Sequence, residues 1–361
     1  MGNAPGQDVA APPRRSAWRM VVSAAITVAV LVVVFVGIFP KVADYSDAWS
    51  SIQQMPTAYL VALAVATVAN IAVYVWPLQA ALPGLSYGPG FVVRQTSFAI
   101  SNAVPAGGAV GLGVQYGMLD SYGFGAAAAA GAIAIVSIFN VFATLVMPVL
   151  GVLALLASGV VKGTYLLTAA VGVLAVVVAV IAGTMVLRSE QGARTVGRWA
   201  ERLVNPLTRR LAHGRSIDLT GRILDFRSSV VGVMQARWVQ VTVSSLLLQL
   251  TSWAILVLAL RGLEAGAGGV TVTWTEALAA FSFARIASFI PVTPGGLGTV
   301  DAALTALLTG YGATSSQALA ADLVWRAATY VPQVVLGALT FLWWRVTATR
   351  RRRRGQLTRM G

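Results

Sequence analysis

The sequence predicts an all-α, polytopic integral membrane protein with about six full transmembrane helices and two inverted re-entrant helical hairpins. Composition is the first reason. The chain has 361 residues, 57% apolar and 11% charged, with a mean hydropathy of +0.77, against roughly 45–50% apolar and about 25% charged in soluble domains. The second reason is six apolar stretches that approach or exceed the roughly 20 residues a helix needs to cross hydrocarbon. The third is two more apolar stretches, each broken midway by proline and glycine. Cysteine is absent and His213 is the single histidine, which excludes disulfides, thiol chemistry and Cys/His zinc sites. No metal and no cofactor is expected.

The elements follow in order. Residues 1–17 form a tail, and Arg14, Arg15 and Arg19 flank the start of the first span, Trp18 to Phe39; this charge holds the amino terminus in the cytoplasm. A cleaved signal peptide is the rival reading, but this apolar run exceeds the usual core of roughly 7 to 15 residues and no A-x-A site follows it. Spans at Thr57 to Leu82, Ala126 to Ala157 and Thr164 to Leu187 complete a first membrane half over residues 18–187. A connector over 188–237 leads to a second half over 238–346, with spans at Trp238 to Leu260 and Gln317 to Trp344. Residues 347–361 form a basic tail.

Arginine placement orients these pieces. Formal net charge is +14, and ten of the 24 arginines fall between Arg188 and Arg237 and seven between Arg345 and Arg359. Positive segments stay on the cytoplasmic side, so the chain is expected in the cytoplasmic membrane with both termini cytoplasmic, as six crossings require. The Arg350 to Arg354 run could in principle bind nucleic acid, but juxtamembrane polybasic tails retain topology and touch anionic lipid; no nucleic-acid partner is expected.

The two broken stretches are Phe91 to Leu119, interrupted at Pro105-Ala106-Gly107-Gly108, and Thr275 to Leu308, interrupted from Pro291 to Gly298. Each arm has about 12 to 16 residues, roughly 18 to 24 Å of helix against a hydrocarbon core of about 30 Å. Arms that short suggest re-entrant hairpins over 91–119 and 275–308. One follows two crossings and the other five, so the two are inverted. Ser97-Phe98-Ala99 before the first bend and Ser282-Phe283-Ala284 before the second add a weak internal similarity. The alternative is that each stretch makes two complete short crossings, which gives ten spans and the same parity. Inverted broken helices are a common transporter plan, since irregular backbone at membrane depth survives only where protein or a wet cavity surrounds it.

Within the connector, Val196, Trp199, Leu203 and Leu207 recur at helical spacing among Arg194, Arg198, Arg202, Arg209 and Arg210. This reads as an interfacial amphipathic helix ending near Pro206, then a second helix into the span at Trp238. It is expected to hold the two halves at the lipid surface; docking a cytosolic enzyme is the alternative.

The most specific segment is Pro291-Val-Thr-Pro-Gly-Gly-Leu-Gly-Thr-Val-Asp301. Its prolines stop one arm, while Gly295, Gly296 and Gly298 permit a tight turn and close helix approach. The next arm then starts inside the membrane with free N–H groups and the positive dipole end exposed, a seat for phosphate or carboxylate. Arg94, Arg285, Asp301, Asp322 and Arg326 lie in or near apolar stretches, where a charge costs about 2.5–3.5 kcal/mol even on the insertion scale. Asp322 and Arg326 are four apart on one helix face and could neutralise each other, as a structural pair or as part of an anion site. The substrate-binding set is therefore Arg285, Thr293, Gly295, Gly296, Gly298, Asp301, Asp322, Arg326 and Tyr330. The first hairpin offers Arg94, Asn102, Pro105, Gly107, Gly108 and Gln115. The neutral polar groups among these could equally bond a neighbouring helix.

The PVTPGGLGTVD string, Trp325-Arg326 with Tyr330 and Pro332, and the Pro105-Gly107-Gly108 bend together resemble the flippase-like membrane domain of lysyl-phosphatidylglycerol synthases. The resemblance extends in hydropathy over roughly residues 18–346. Family members often carry glutamate where Asp301 stands, which keeps the acid but shortens its reach. Those that make lysyl-phosphatidylglycerol carry a soluble aminoacyl-transferase domain after the membrane part, whereas this chain closes with Arg350 to Gly361. The stand-alone form is thus the expectation, and the transferase activity is not inferred.

Three functions follow as expectations. The first is a transporter or flippase for an anionic phospholipid or polyprenyl-phosphate-type lipid, with the phosphate on Arg285, Arg326 and the glycine turn. The second is a non-transporting partner of a separate lipid-modifying enzyme. The third, an enzyme acting on lipid phosphates, has only Asp301 and Asp322 to work with and no histidine base or clustered acidic metal site.

Overall fold

Hydrocarbon offers no partner for a backbone N–H or C=O, so long apolar segments of one chain satisfy themselves as helices. The computed structural model describes residues 45–103, 107–159, 189–211, 218–269, 272–289 and 296–357, with isolated positions between 174 and 186. Among them the helices are α1 (Tyr45–Gln53), α2 (Thr57–Val73), α3 (Trp76–Ala81), α4 (Tyr87–Ala103), α5 (Gly107–Ser121), α6 (Ala126–Ala157) and α7 (Glu190–Leu211). They continue as α8 (Leu219–Ala267), α9 (Trp274–Ile286), α10 (Thr299–Gly310), α11 (Ser315–Thr329) and α12 (Val331–Leu357). The protein is an all-α, polytopic membrane protein. Four helical stretches among the described residues are long and apolar enough to span: Thr57–Ala81, Ala126–Ala157, Arg237–Ala267 and Ser315–Thr347. The expected span at Trp18 to Phe39 lies outside the described residues, as does all but isolated positions of Thr164 to Leu187.

Local sequence explains where these helices begin. Thr273 with Glu276 and Thr314 with Gln317 form capping boxes at α9 and α11, each satisfying two otherwise orphan backbone N–H groups. Asp218 accepts from the Gly221 N–H at 2.7 Å and starts α8. The α7 helix does not stop at Pro206 but runs on to Leu211. An interior proline removes one hydrogen bond and kinks a helix rather than necessarily ending it, and α7 is supported by packing along α8. Glu201 also accepts from the Thr220 N–H at 2.8 Å. The α8 helix is unbroken through position 237.

Both proline-glycine stretches form helical hairpins, α4 against α5 and α9 against α10. Their arms have 17, 15, 13 and 12 residues, all shorter than the roughly 20 that span hydrocarbon. The exits of the two hairpins repeat bond for bond. Tyr122 N–H is shared by the Met118 and Leu119 carbonyls, Gly123 donates to Asp120 and Phe124 to Leu119. Tyr311 N–H is likewise shared by Leu307 and Leu308, Gly312 donates to Thr309 and Ala313 to Leu308. Gly123 and Gly312 hold φ of +89° and +111°, a region that glycine enters without steric penalty. The helix after each turn then opens on an extended N-cap, Gly125 or Thr314.

The hairpins also interlock with helices downstream of one another: the first arm of the first hairpin, α4, lies along α12, and the first arm of the second, α9, lies along α6. Both crossings use glycine: a Cβ on Gly337 would collide with the Gln95 carbonyl and Ala99, and one on Gly151 would sit 2.9 Å from the Ala279 Cα. Small residues of this kind let membrane helices approach closely. The central α8 packs on α2, α6 and α11. The core around it holds Ile255, Leu256, Leu260 and Leu304 with Phe281 against Trp325, edge to face at 5.8 Å.

Candidate functional site: a charged cluster at the second bend

Two interruptions in the apolar framework build the cluster. One is the start of α10, where Gly298 is the N-cap at φ +87° and its N–H donates to Asp301 Oδ2 at 2.5 Å. Asp301 thereby sits in the first turn, facing the positive end of the helix dipole. The other is the junction of α11 and α12 at Tyr330, where Pro332 can give no N–H to the ladder. One turn before that junction, Arg326 Nε donates to Asp301 Oδ1. Asp301 is buried at 1% exposed, and the Arg326 side chain is half-buried at 14%. The Arg326 guanidinium also lies 4.9 Å from the Trp325 ring centroid, and Trp325 is itself anchored by its indole N–H to the Ser252 carbonyl at 3.1 Å.

Asp322 and Arg285 complete the cluster. Asp322 is 1% exposed, its carboxyl group lies close enough to that of Asp301 for the two to repel when both are charged, and its Oδ1 finds no donor among the described residues. Arg285, on α9, lies close enough to Arg326 for the two charges to repel. Its Nε is buried and finds no acceptor among the described residues. Asp322 and Arg326 share a helix face, but Arg326 gives its Nε to Asp301, whose other oxygen takes the Gly298 N–H.

The other expected residues divide. Gly296 belongs to the bend, and its carbonyl accepts from Thr299 Oγ1 at 3.2 Å. Tyr330 joins the two hairpins, its hydroxyl donating to the Asn102 carbonyl at 2.9 Å. Asn102 spends its own side-chain amide on the Phe98 carbonyl within α4. Arg94 is separate from the cluster: it donates to the Tyr74 carbonyl at 3.2 Å and lies 4.0 Å from that ring's centroid. Gln115 accepts from Ser97 inside the first hairpin. Gly107 packs against the Ile100 and Ser101 carbonyls, whereas Gly108 faces open space. Thr293, Gly295 and Pro105 lie outside the described residues.

Two neighbouring features join segments remote in the sequence. Tyr74, Phe98 and Tyr330 form an edge-to-face aromatic chain with centroids 5.6 and 5.5 Å apart. Asn70, one turn before Tyr74, donates to Thr251 Oγ1 at 2.8 Å and accepts from Gln333 at 3.3 Å. An Asn and a Tyr at i, i+4 in an otherwise apolar span were the available signal.

Two guanidinium groups beside a helix N-terminus suit the oxygens of a phosphate, since the planar fork binds two of them at once. The counterpart turn of the first hairpin carries no such charges: its exit shares the backbone pattern of the second but not Asp301, Asp322 or Arg326. No curated protein matches the chain. Residues 20–337 match the family described as the lysylphosphatidylglycerol synthase TM region, and the chain therefore belongs to that family of membrane proteins, which is related to lipid modification or flipping.

Proposed function

We propose that the protein is a flippase-like transporter that moves an anionic phospholipid or polyprenyl-phosphate-type lipid across the cytoplasmic membrane, both its termini cytoplasmic. The observation that carries this reading is Arg285, whose buried Nε has no acceptor among the described residues, near Arg326 at a break in an apolar helical bundle. A charge held there costs about 2.5–3.5 kcal/mol on the insertion scale, so its retention calls for a ligand or a wet cavity. In this reading the lipid phosphate engages Arg285, Arg326 and the Gly295–Gly298 turn, with Thr293 and Tyr330 as neutral partners and the acyl chains left in the bilayer. The hairpins over 91–119 and 275–308 act as inverted re-entrant elements of halves 18–187 and 238–346, with the basic connector and tail at the anionic inner surface.

The test is a vesicle assay with a short-chain fluorescent phosphatidylglycerol. Wild type should move the probe, Arg285→Ala should not, and Arg326→Lys, which keeps the charge but loses the fork, should retain its fold and lose part of the rate. Equal rates for wild type and Arg285→Ala refute the assignment. Chemical conversion of the lipid would turn the reading to an enzyme. Neither movement nor conversion, with stable co-purification of a lipid-modifying enzyme, would turn it to a membrane partner.

A further inference from the structure

The two carboxyl groups of the cluster differ in what surrounds them. Asp301 accepts from Gly298 N–H and from Arg326 Nε, one donor on each oxygen. Asp322 lies near Asp301, has no donor for its Oδ1 among the described residues, and is buried. Two neighbouring buried carboxyl groups share the cation of Arg326, and loss of that cation favours the uptake of a proton by the pair. Thr305, one turn beyond Asp301 on α10, is 2% exposed with a hydroxyl that has no partner among the described residues. The site therefore has unused hydrogen-bonding capacity beyond its ion pair.

Resting on the proposed function, we propose that a lipid phosphate and a proton bind this site together. A phosphate that takes Arg326 leaves Asp301 without its cation, next to Asp322. Asp301 then forms an O–H bond with a proton drawn from water on the side from which the lipid enters. When the lipid leaves, Arg326 returns to Asp301 and that proton is released to water. A monoanionic headgroup and one proton cross as a neutral pair, so a proton gradient biases the direction of lipid movement.

Apart from Arg285, which the phosphate also engages in the proposed function, the described groups around the acids do not supply a substitute cation. The α8 helix offers Arg261 and Glu264, which pair with each other. The α1 helix offers exposed Asp47, and α2 only Tyr59, whose Cβ and ring abut Gly262. On α9, Glu276 is occupied in its cap with Thr273, and Arg285 lies near the like charge of Arg326. Tyr330 is committed to Asn102.

The experiment measures binding of dihexanoyl phosphatidylglycerol to the full chain in neutral detergent by calorimetry. Its phosphodiester stays monoanionic across the range, so any pH dependence belongs to the protein. Affinity should rise as pH falls from about 8 to about 6, approaching about tenfold per pH unit, with uptake of about one proton per lipid judged from buffers of different ionisation enthalpy. Asp301→Asn, which cannot exchange a proton there, should bind with no pH dependence and no uptake. Dimethyl phosphate, the same chemistry without chains, should bind more weakly; equal affinity overturns the lipid as its source. Lipid binding with zero proton uptake in the wild type overturns the coupling while leaving the proposed function intact, and does so whether or not Asp301→Asn folds. No lipid binding at either pH overturns both.

Discussion

Removing one member of the Asp301–Arg326 pair strands the other in a site with almost no access to water. The side chains are 1% and 14% exposed, so each single truncation should cost about 3–5 kcal/mol, the range for breaking a buried ion pair. Asp301→Ala should be the worse of the two, because it also removes the acceptor of the Gly298 N–H, a cap worth about 0.5–2 kcal/mol. Asp301→Ala combined with Arg326→Met has no charge left to strand, and methionine can still cover Trp325. The double variant should recover about 2–4 kcal/mol relative to the sum of the singles, since apolar replacement of a buried pair is often near neutral. Unfolding midpoints in mild detergent, followed by tryptophan fluorescence, give the cycle. Additivity within about 0.5 kcal/mol would refute the pairing. Asp322→Ala with Arg326→Met is the control and should couple less, because Arg326 gives its Nε to Asp301.

Two further outcomes concern the scaffold. Gly337→Ala places a methyl group against the Gln95 carbonyl and Ala99 and should cost about 1–3 kcal/mol by overpacking, whereas Gly113→Ala, inside α5 and facing open space, should raise the unfolding midpoint through the gain of about 0.5–1 kcal/mol that a helix takes from Gly→Ala. Because the native chain has no cysteine, Gly108→Cys and Thr299→Cys can be labelled individually with membrane-impermeant thiol reagents. Inverted hairpins predict reaction from opposite sides, and reaction of both from one side only rules that topology out.

The sequence by itself determined what depends on neighbours within a turn or two. Hydropathy marked the four spans that the described residues contain, and proline and glycine marked both bends. The acids and arginines of the cluster were equally visible, because a charge in an apolar run stands out whatever it contacts. Their partners were not. Asp322 and Arg326 share a helix face, and that local relation suggested a pair, yet the acid that holds Arg326 comes from α10, a separate helix. Pro206 looked like a terminator, while packing along α8 carries α7 past it. The Tyr74–Phe98–Tyr330 chain and the glycine crossings at Gly151 and Gly337 likewise join segments remote in the sequence. Periodicity and caps act through bonds among adjacent residues, so one strand of text contains them. Which buried charge meets which is settled by the distance between helices, and only the tertiary packing fixes that distance.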